Sequence, residues 1–361
     1  MIYKMALTLP DVKPQKQKKQ KFSEEIMNER DVFPAEATSN RLLRSDGLEL
    51  FLRRHVIGQD SIIANLSNHL KYGWCNLSTP GRPRGTLFLL GPTGVGKTES
   101  IRAAVEYMYG STDRNFLRLD MSEFSRQAGE EALMNLIGTP GGKSIGRMGA
   151  FLEQCDEGII LYDEIEKSHP AIFTILLQQL DAARITLSNN RTYDLSGFFI
   201  AATSNIGAQV FQNIKHLSER RLQQNLEMQL KERFSPEFVA RFGKFGHEIL
   251  IFRPLKPEHL RLIARKFYSL LLPQYKQSHG VNIYGFTANV IEETLRSIDN
   301  TRNGARELRS NIERKVRKLV FDLLLRHPGG GIRGWIDTVS AEPENLCLHP
   351  EEPTHEVILC Q

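Results

Sequence analysis

One octapeptide constrains this 361-residue chain more than any other feature. Gly91-Pro92-Thr93-Gly94-Val95-Gly96-Lys97-Thr98 follows an apolar run at 86–90 directly and opens into a helical stretch. As a pattern it reads G-x-x-x-x-G-K-T, in the strand–loop–helix setting that the pattern's chemistry requires. Its glycines let backbone N–H groups curl around phosphate oxygens, and the following helix N-terminus adds a favourable dipole. Lys97 is then expected to reach the β- and γ-phosphates of a bound nucleotide, and the Thr98 hydroxyl to ligate Mg²⁺.

A turn of this kind needs a parallel sheet beneath it, and the chain supplies the pieces. Five short apolar runs, at 86–90, 116–121, 158–162, 198–203 and 248–252, are separated by longer amphipathic segments. Such alternation predicts an α/β fold whose strands, buried on both faces, need not alternate apolar and polar residues. Past Pro254 the periodicity turns helical. Ala305, Leu308, Ile312, Val316, Leu319 and Leu323 recur every three or four residues, which predicts a smaller, mainly helical second unit.

Two more strand ends carry chemistry. The run Ile159-Ile160-Leu161-Tyr162 ends in Asp163-Glu164. Sixty-five residues after the phosphate loop, the first acid is expected to hold Mg²⁺ and the second to polarise an attacking water, so the pair argues for hydrolysis and not only binding. The run at 198–203 ends in Ser204-Asn205, placing an amide where it can orient water against a γ-phosphate.

Composition excludes other classes. At 40% hydrophobic and 25% charged residues, with Gly and Pro near average usage, the chain is neither collagen-like nor of low complexity. Its longest apolar runs fall far short of the roughly 18 residues a membrane span needs. No secretory signal pattern opens it. The four cysteines are scattered without metal-ligand spacing, which predicts free thiols in a reducing, cytoplasmic setting. The formal net charge of +5 is uneven. Lys4, Lys13, Lys16, Lys18, Lys19 and Lys21 crowd the start, whereas Asp337, Glu342, Glu344, Glu351, Glu352 and Glu356 fill the end without a Lys or Arg among them. Residues 1–36 are therefore expected as a disordered basic arm, 37–255 as the large α/β unit, 256–328 as the helical unit and 329–361 as a flexible acidic tail.

With these motifs in order, residues 55–328 resemble the AAA+ module of the Clp chaperone ATPases, most closely their second ATPase ring. The stretches that carry the resemblance include Val56-Ile57-Gly58-Gln59, LFLLGPTGVGKTES, LDMSEFS, ILYDEIEKSHP, ILLQQLDAARIT, ATSNIG, SPEFVARF and NGARELR. The resemblance implies a parallel five-stranded nucleotide domain with a small helical lid, ATP and Mg²⁺ as cofactors, and a hexameric ring of identical subunits. It assigns Val56 and Ile57 to the adenine and Asn205 to sensor 1. Arg241 falls on the arginine finger that reaches a neighbour's γ-phosphate, and Arg306 on sensor 2.

Departures from the family pattern narrow the expected task. Where the family carries a channel loop with an aromatic, residues 138–147 contain none, and Lys143 stands near that position with Arg147 close by. A cationic loop suits an acidic polypeptide or a nucleic-acid backbone better than a generic extended chain. There is one phosphate loop and no internal repeat. No zinc module is apparent, and nothing in 207–233 resembles a peptidase-docking tripeptide. Ala240 replaces the Asn that precedes the family's finger arginine, and Gly243-Lys244-Phe245-Gly246 follows in place of an Ile-Asp pair. The expected function is a ring-forming ATPase that remodels or disassembles a dedicated protein client. Two alternatives stand beside it: a regulator acting on nucleic acid through the Lys-rich arm and Lys143, and an ATP-gated scaffold with little turnover.

Overall fold

Period two along the strands explains why the apolar runs look continuous. Leu87, Leu89, Ile159, Leu161, Phe199 and Ala201 enter one buried cluster, while Phe88, Leu90, Ile160, Tyr162, Ile200 and Ala202 enter another. Successive side chains point to opposite faces, so a sheet with helices on both faces needs apolar residues at every position. The computed structural model describes residues 35–125, 129–140, 144–212, 218–297, 304–329, 331–339, 342–353 and 356–359. The basic stretch 1–34 and Lys143 lie outside the described residues.

The strands in chain order are β1 (Gly85–Leu90), β2 (Phe116–Asp120), β3 (Gly158–Asp163), β4 (Arg184–Thr186), β5 (Thr192–Asp194), β6 (Phe198–Ser204) and β7 (Ile249–Ile251). Five form a sheet in the order β2-β3-β6-β1-β7, every neighbouring pair parallel; β4 and β5 make a separate antiparallel pair. The fully buried β3 and β6 sit side by side inside the sheet. One cluster is finished by stacked aromatics: Phe238 packs near-perpendicular to Phe88 and Phe173 and tilted on Phe234. Phe238 thereby fixes the short helix Pro236–Phe242 that carries Arg241.

A second core lies farther along the chain. The helices Pro257–His279, Ala288–Arg296 and Gly304–Arg326 bury Leu260, Tyr268, Val290, Leu308, Ile312 and Val316 together. Against them lies a four-stranded sheet of order β10-β9-β8-β11, built from β8 (Asn282–Thr287), β9 (Arg333–Val339), β10 (Glu342–His349) and β11 (Val357–Leu359). This corrects the expectation of a flexible acidic tail over 329–361. Ile332, Ile336 and Ile358 are buried in the second core, with Leu346 and Leu348 packed against it at period two. The apolar positions are few and separated by acids, so charge counting obscured them. Among the described residues, no helix is long and apolar enough to cross a membrane.

Ile336 tests whether these strands belong to the core. Ile336→Ala should destabilise the C-terminal unit by about 2–5 kcal/mol, read as a lowered urea midpoint. A change within ~0.5 kcal/mol would place the strand outside the packed unit.

Candidate functional site

Parallel pairing brings three strand ends to one edge. Leu90 of β1 lies opposite Ser204 of β6, and Tyr162 of β3 opposite Ala202, so Gly91, Asp163 and Asn205 leave the sheet together. The Gly91 N–H donates to the Ser204 carbonyl at 3.2 Å, fixing the start of the phosphate loop. Gly94 and Gly96 hold φ of +76° and +104°, which side-chain-bearing residues adopt at a cost. A β-carbon on Gly96 would stand 2.9 Å from Val56, so the cradle also depends on the glycine's size. Beyond Gly96 the helix Lys97–Tyr109 begins, with its N-terminus facing the loop.

Lys97 is buried, and its ammonium donates to the carbonyls of Gly91 at 2.7 Å and Pro92 at 2.8 Å and to Asn205 Oδ1 at 2.9 Å. Burial pushes its pKa down to about 8 against the pull of Glu166, Asp163 and Glu164, and the Arg306 charge adds to the lowering. Asn205 passes the contact on, its amide donating to Glu164 Oε1 at 3.1 Å. Lys167 pairs with the other oxygen of Glu164. Glu164 itself has left-handed backbone (φ 58°, ψ 52°), with its N–H donating to Thr203 Oγ1 at 3.0 Å. That conformation, rare for a residue with a β-carbon, turns the carboxylate off the strand axis toward Asn205.

Asp163 is almost fully buried and accepts from four donors. Thr98 Oγ1 at 2.9 Å and Thr203 Oγ1 reach Oδ1, while Arg118 reaches Oδ2 through Nε at 2.9 Å and Nη2 at 2.6 Å. Thr98 and Asp163 form an oxygen-only donor pair of the kind a hard divalent cation takes while keeping much of its water. The glycine cradle with Lys97 likewise fits a polyphosphate.

The remaining predicted residues divide by position. Val56 packs into the large-unit core beside Gly96, and Ile57 packs against the second core, so the pair straddles the junction behind the loop. Arg306 lies two residues into the helix Gly304–Arg326, whose Ala305 N–H donates to the Gly94 carbonyl at 3.1 Å; its charge is felt at Lys97. Arg241 stands apart from this group, half-exposed and paired with Asp181 at 2.7 Å and Glu237 at 3.3 Å. Arg147 is not a free cation. It pairs with Glu123 at 2.7 Å and lies over the Phe124 ring, so its charge is met within its own chain.

Sequence reasoning missed several members. Thr203 bridges Asp163 and the Glu164 N–H, and Glu166 Oε1 accepts the Asn205 N–H at 3.0 Å. Gln59 is buried and makes both amide contacts with the Arg253 backbone (2.8 and 3.1 Å), while its Nε2 also lies 3.4 Å from the Val95 carbonyl of the loop. Thr203, Glu166 and Gln59 all fall inside the motif stretches, which was the available signal.

The AAA domain (Cdc48 subfamily) profile matches residues 82–245. The chain is 32% identical over 315 residues to the probable chaperone protein ClpB 1 of Chlorobaculum tepidum, covering 83% of this chain and 68% of that protein. It is 33% identical over 303 residues to the ATP-dependent Clp protease ATP-binding subunit ClpC of Staphylococcus epidermidis, covering 80% of this chain but 36% of that protein. Among solved structures, Hsp104 in a closed state with ATPγS and FITC-casein superposes with a TM-score of 0.71 at 25% identity, over 88% of this chain and 53% of that one. The chain thus spans only part of these proteins.

The depressed Lys97 pKa carries a sign. Without nucleotide, the protein bears the cost of a buried ammonium below pH 8 and sheds it as pH rises toward 10.5. Wild type should therefore gain thermal stability relative to Lys97→Met across that window. A constant Tm difference from pH 7 to 10.5 would remove Lys97 as its source.

Proposed function

We propose that this chain, which belongs to the Clp type of AAA+ ATPases, hydrolyses ATP within a ring and uses that hydrolysis to remodel or disassemble a dedicated protein client.

 The carrying observation is the chain of contacts from Lys97 through Asn205 to Glu164, set beside the Thr98–Asp163 pair. A phosphate-reading cation and a carboxylate suited to act as base are held at the two ends of one amide. That geometry supports hydrolysis over binding alone.

In this reading Gly91 to Gly96 cradle the phosphates of ATP, and Thr98 with Asp163 holds Mg²⁺. A divalent cation held there would supply positive charge against the phosphates. Lys97 exchanges its loop carbonyls for phosphate oxygens, Glu164 polarises the attacking water, and Asn205 sets the spacing between them. Val56 and Ile57 face the adenine. Arg306 enters from the C-terminal unit toward the nucleotide of its own subunit. Arg241, remote from that group and half-exposed, serves a neighbour's site, which makes turnover a property of the assembled ring, a hexamer by family habit. The channel loop lacks an aromatic, so a client of particular chemistry fits better than any extended chain.

The scaffold reading draws on one observation, the engagement of Arg241 by Asp181 and Glu237 of its own chain. Two experiments separate the readings. Glu164→Gln should keep ATP binding within about threefold while turnover falls at least about a hundredfold, in line with the loss of a general base. Unchanged turnover would strip Glu164 of its role. Arg241→Ala subunits titrated into wild type should lower the activity per wild-type subunit as mixed rings form; strictly proportional activity would refute a finger acting in trans.

A further inference from the structure

Arg118 belongs to none of the phosphate-binding motifs, yet among the described residues it is the ion-pair partner of Asp163. It sits on β2 opposite Leu161 of β3, two residues before Asp163. A parallel strand advances about 3.3 Å per residue, so the gap along the sheet is roughly 6.6 Å, within the reach of an extended arginine side chain. Nε and Nη2 both donate to Oδ2, at 2.9 and 2.6 Å. The hydroxyls of Thr98 and Thr203 take Oδ1. An ionised carboxylate offers about four acceptor positions, and here each oxygen takes two donors. The strand around Arg118 is itself braced: its carbonyl accepts from Arg147 Nη2 at 3.2 Å, and Arg147 is held by Glu123.

We infer that Arg118 is a positioning residue for the nucleotide site, fixing and neutralising the Asp163 carboxylate and so setting how tightly that carboxylate holds a divalent cation. This rests on the reading of the site as one for a magnesium nucleotide. Both threonine hydroxyls are neutral; the guanidinium is the one group contacting Asp163 that brings a full positive charge. While it stays on Oδ2, the charge available to a cation is reduced, and the carboxylate is aimed with Oδ1 toward Thr98. The side chain is 48% exposed, so a neutral residue of similar length leaves no buried charge unpaired except Asp163 itself, which keeps both hydroxyl donors.

The test is binding of N-methylanthraniloyl-ADP to the full chain, followed by fluorescence in EDTA and across a Mg²⁺ titration. Arg118→Gln and Arg118→Met should lower the Mg²⁺ midpoint about threefold to fivefold, the scale of a half-exposed ion pair. Arg118→Lys, which restores the charge, should return it toward wild type. In an Asp163→Asn background, Arg118→Gln should leave the midpoint unchanged, since the coupling partner is gone. A midpoint that stays or rises in both neutral variants overturns the inference while leaving the nucleotide site intact. A wild-type chain whose nucleotide binding ignores Mg²⁺ overturns the reading of the site, and the inference with it.

Discussion

The side-by-side parallel pairing of β3, β6 and β1 is the constraint on which the rest of the molecule depends. Because the three strands run the same way and end in register, a glycine loop, an acid pair and an amide emerge within hydrogen-bonding distance of one another. None of these groups would meet if one strand ran in the opposite sense. The apolar runs do more than fill a core: each lost residue of register would move a functional group to the other face or a step along the edge. Two buried clusters, one on each face of the sheet, hold that register.

At the site itself, polar groups are linked in series. Lys97 contacts Asn205, Asn205 contacts Glu164, and Thr203 ties the Glu164 backbone to the Asp163 side chain. The low-dielectric surroundings that depress the Lys97 pKa also strengthen each of these bonds. Displacing one member therefore shifts the others, and phosphate oxygens arriving at Lys97 would be felt at Glu164 through a single amide. The left-handed backbone at Glu164 belongs to the same arrangement, since it lets one residue be both the end of a strand and the start of a turn.

Much of this was legible before the fold was known, for a definite reason. The phosphate loop and the strand-end acids are contiguous in sequence, so spacing alone reveals them. The partners Arg118 and Thr203 reach Asp163 from 45 and 40 residues away, and no local spacing encodes such a contact. Arg147 illustrates the converse: the sequence shows its charge, and only the fold supplies Glu123. The acidic end was misjudged because composition outweighed pattern. Its apolar residues are sparse, but Ile336, Leu346, Leu348 and Ile358 each fall where a strand turns a side chain onto the helices.

The contact between the Ala305 N–H and the Gly94 carbonyl joins the tip of the phosphate loop to the first turn of a 23-residue helix. At 1.5 Å per residue that helix is about 35 Å long, so a tilt of about 10° at its loop end would swing the far end by roughly 6 Å. A rearrangement too small to break a hydrogen bond at the glycine loop thus becomes a displacement larger than the spacing between neighbouring strands, delivered at the outer surface of the C-terminal unit.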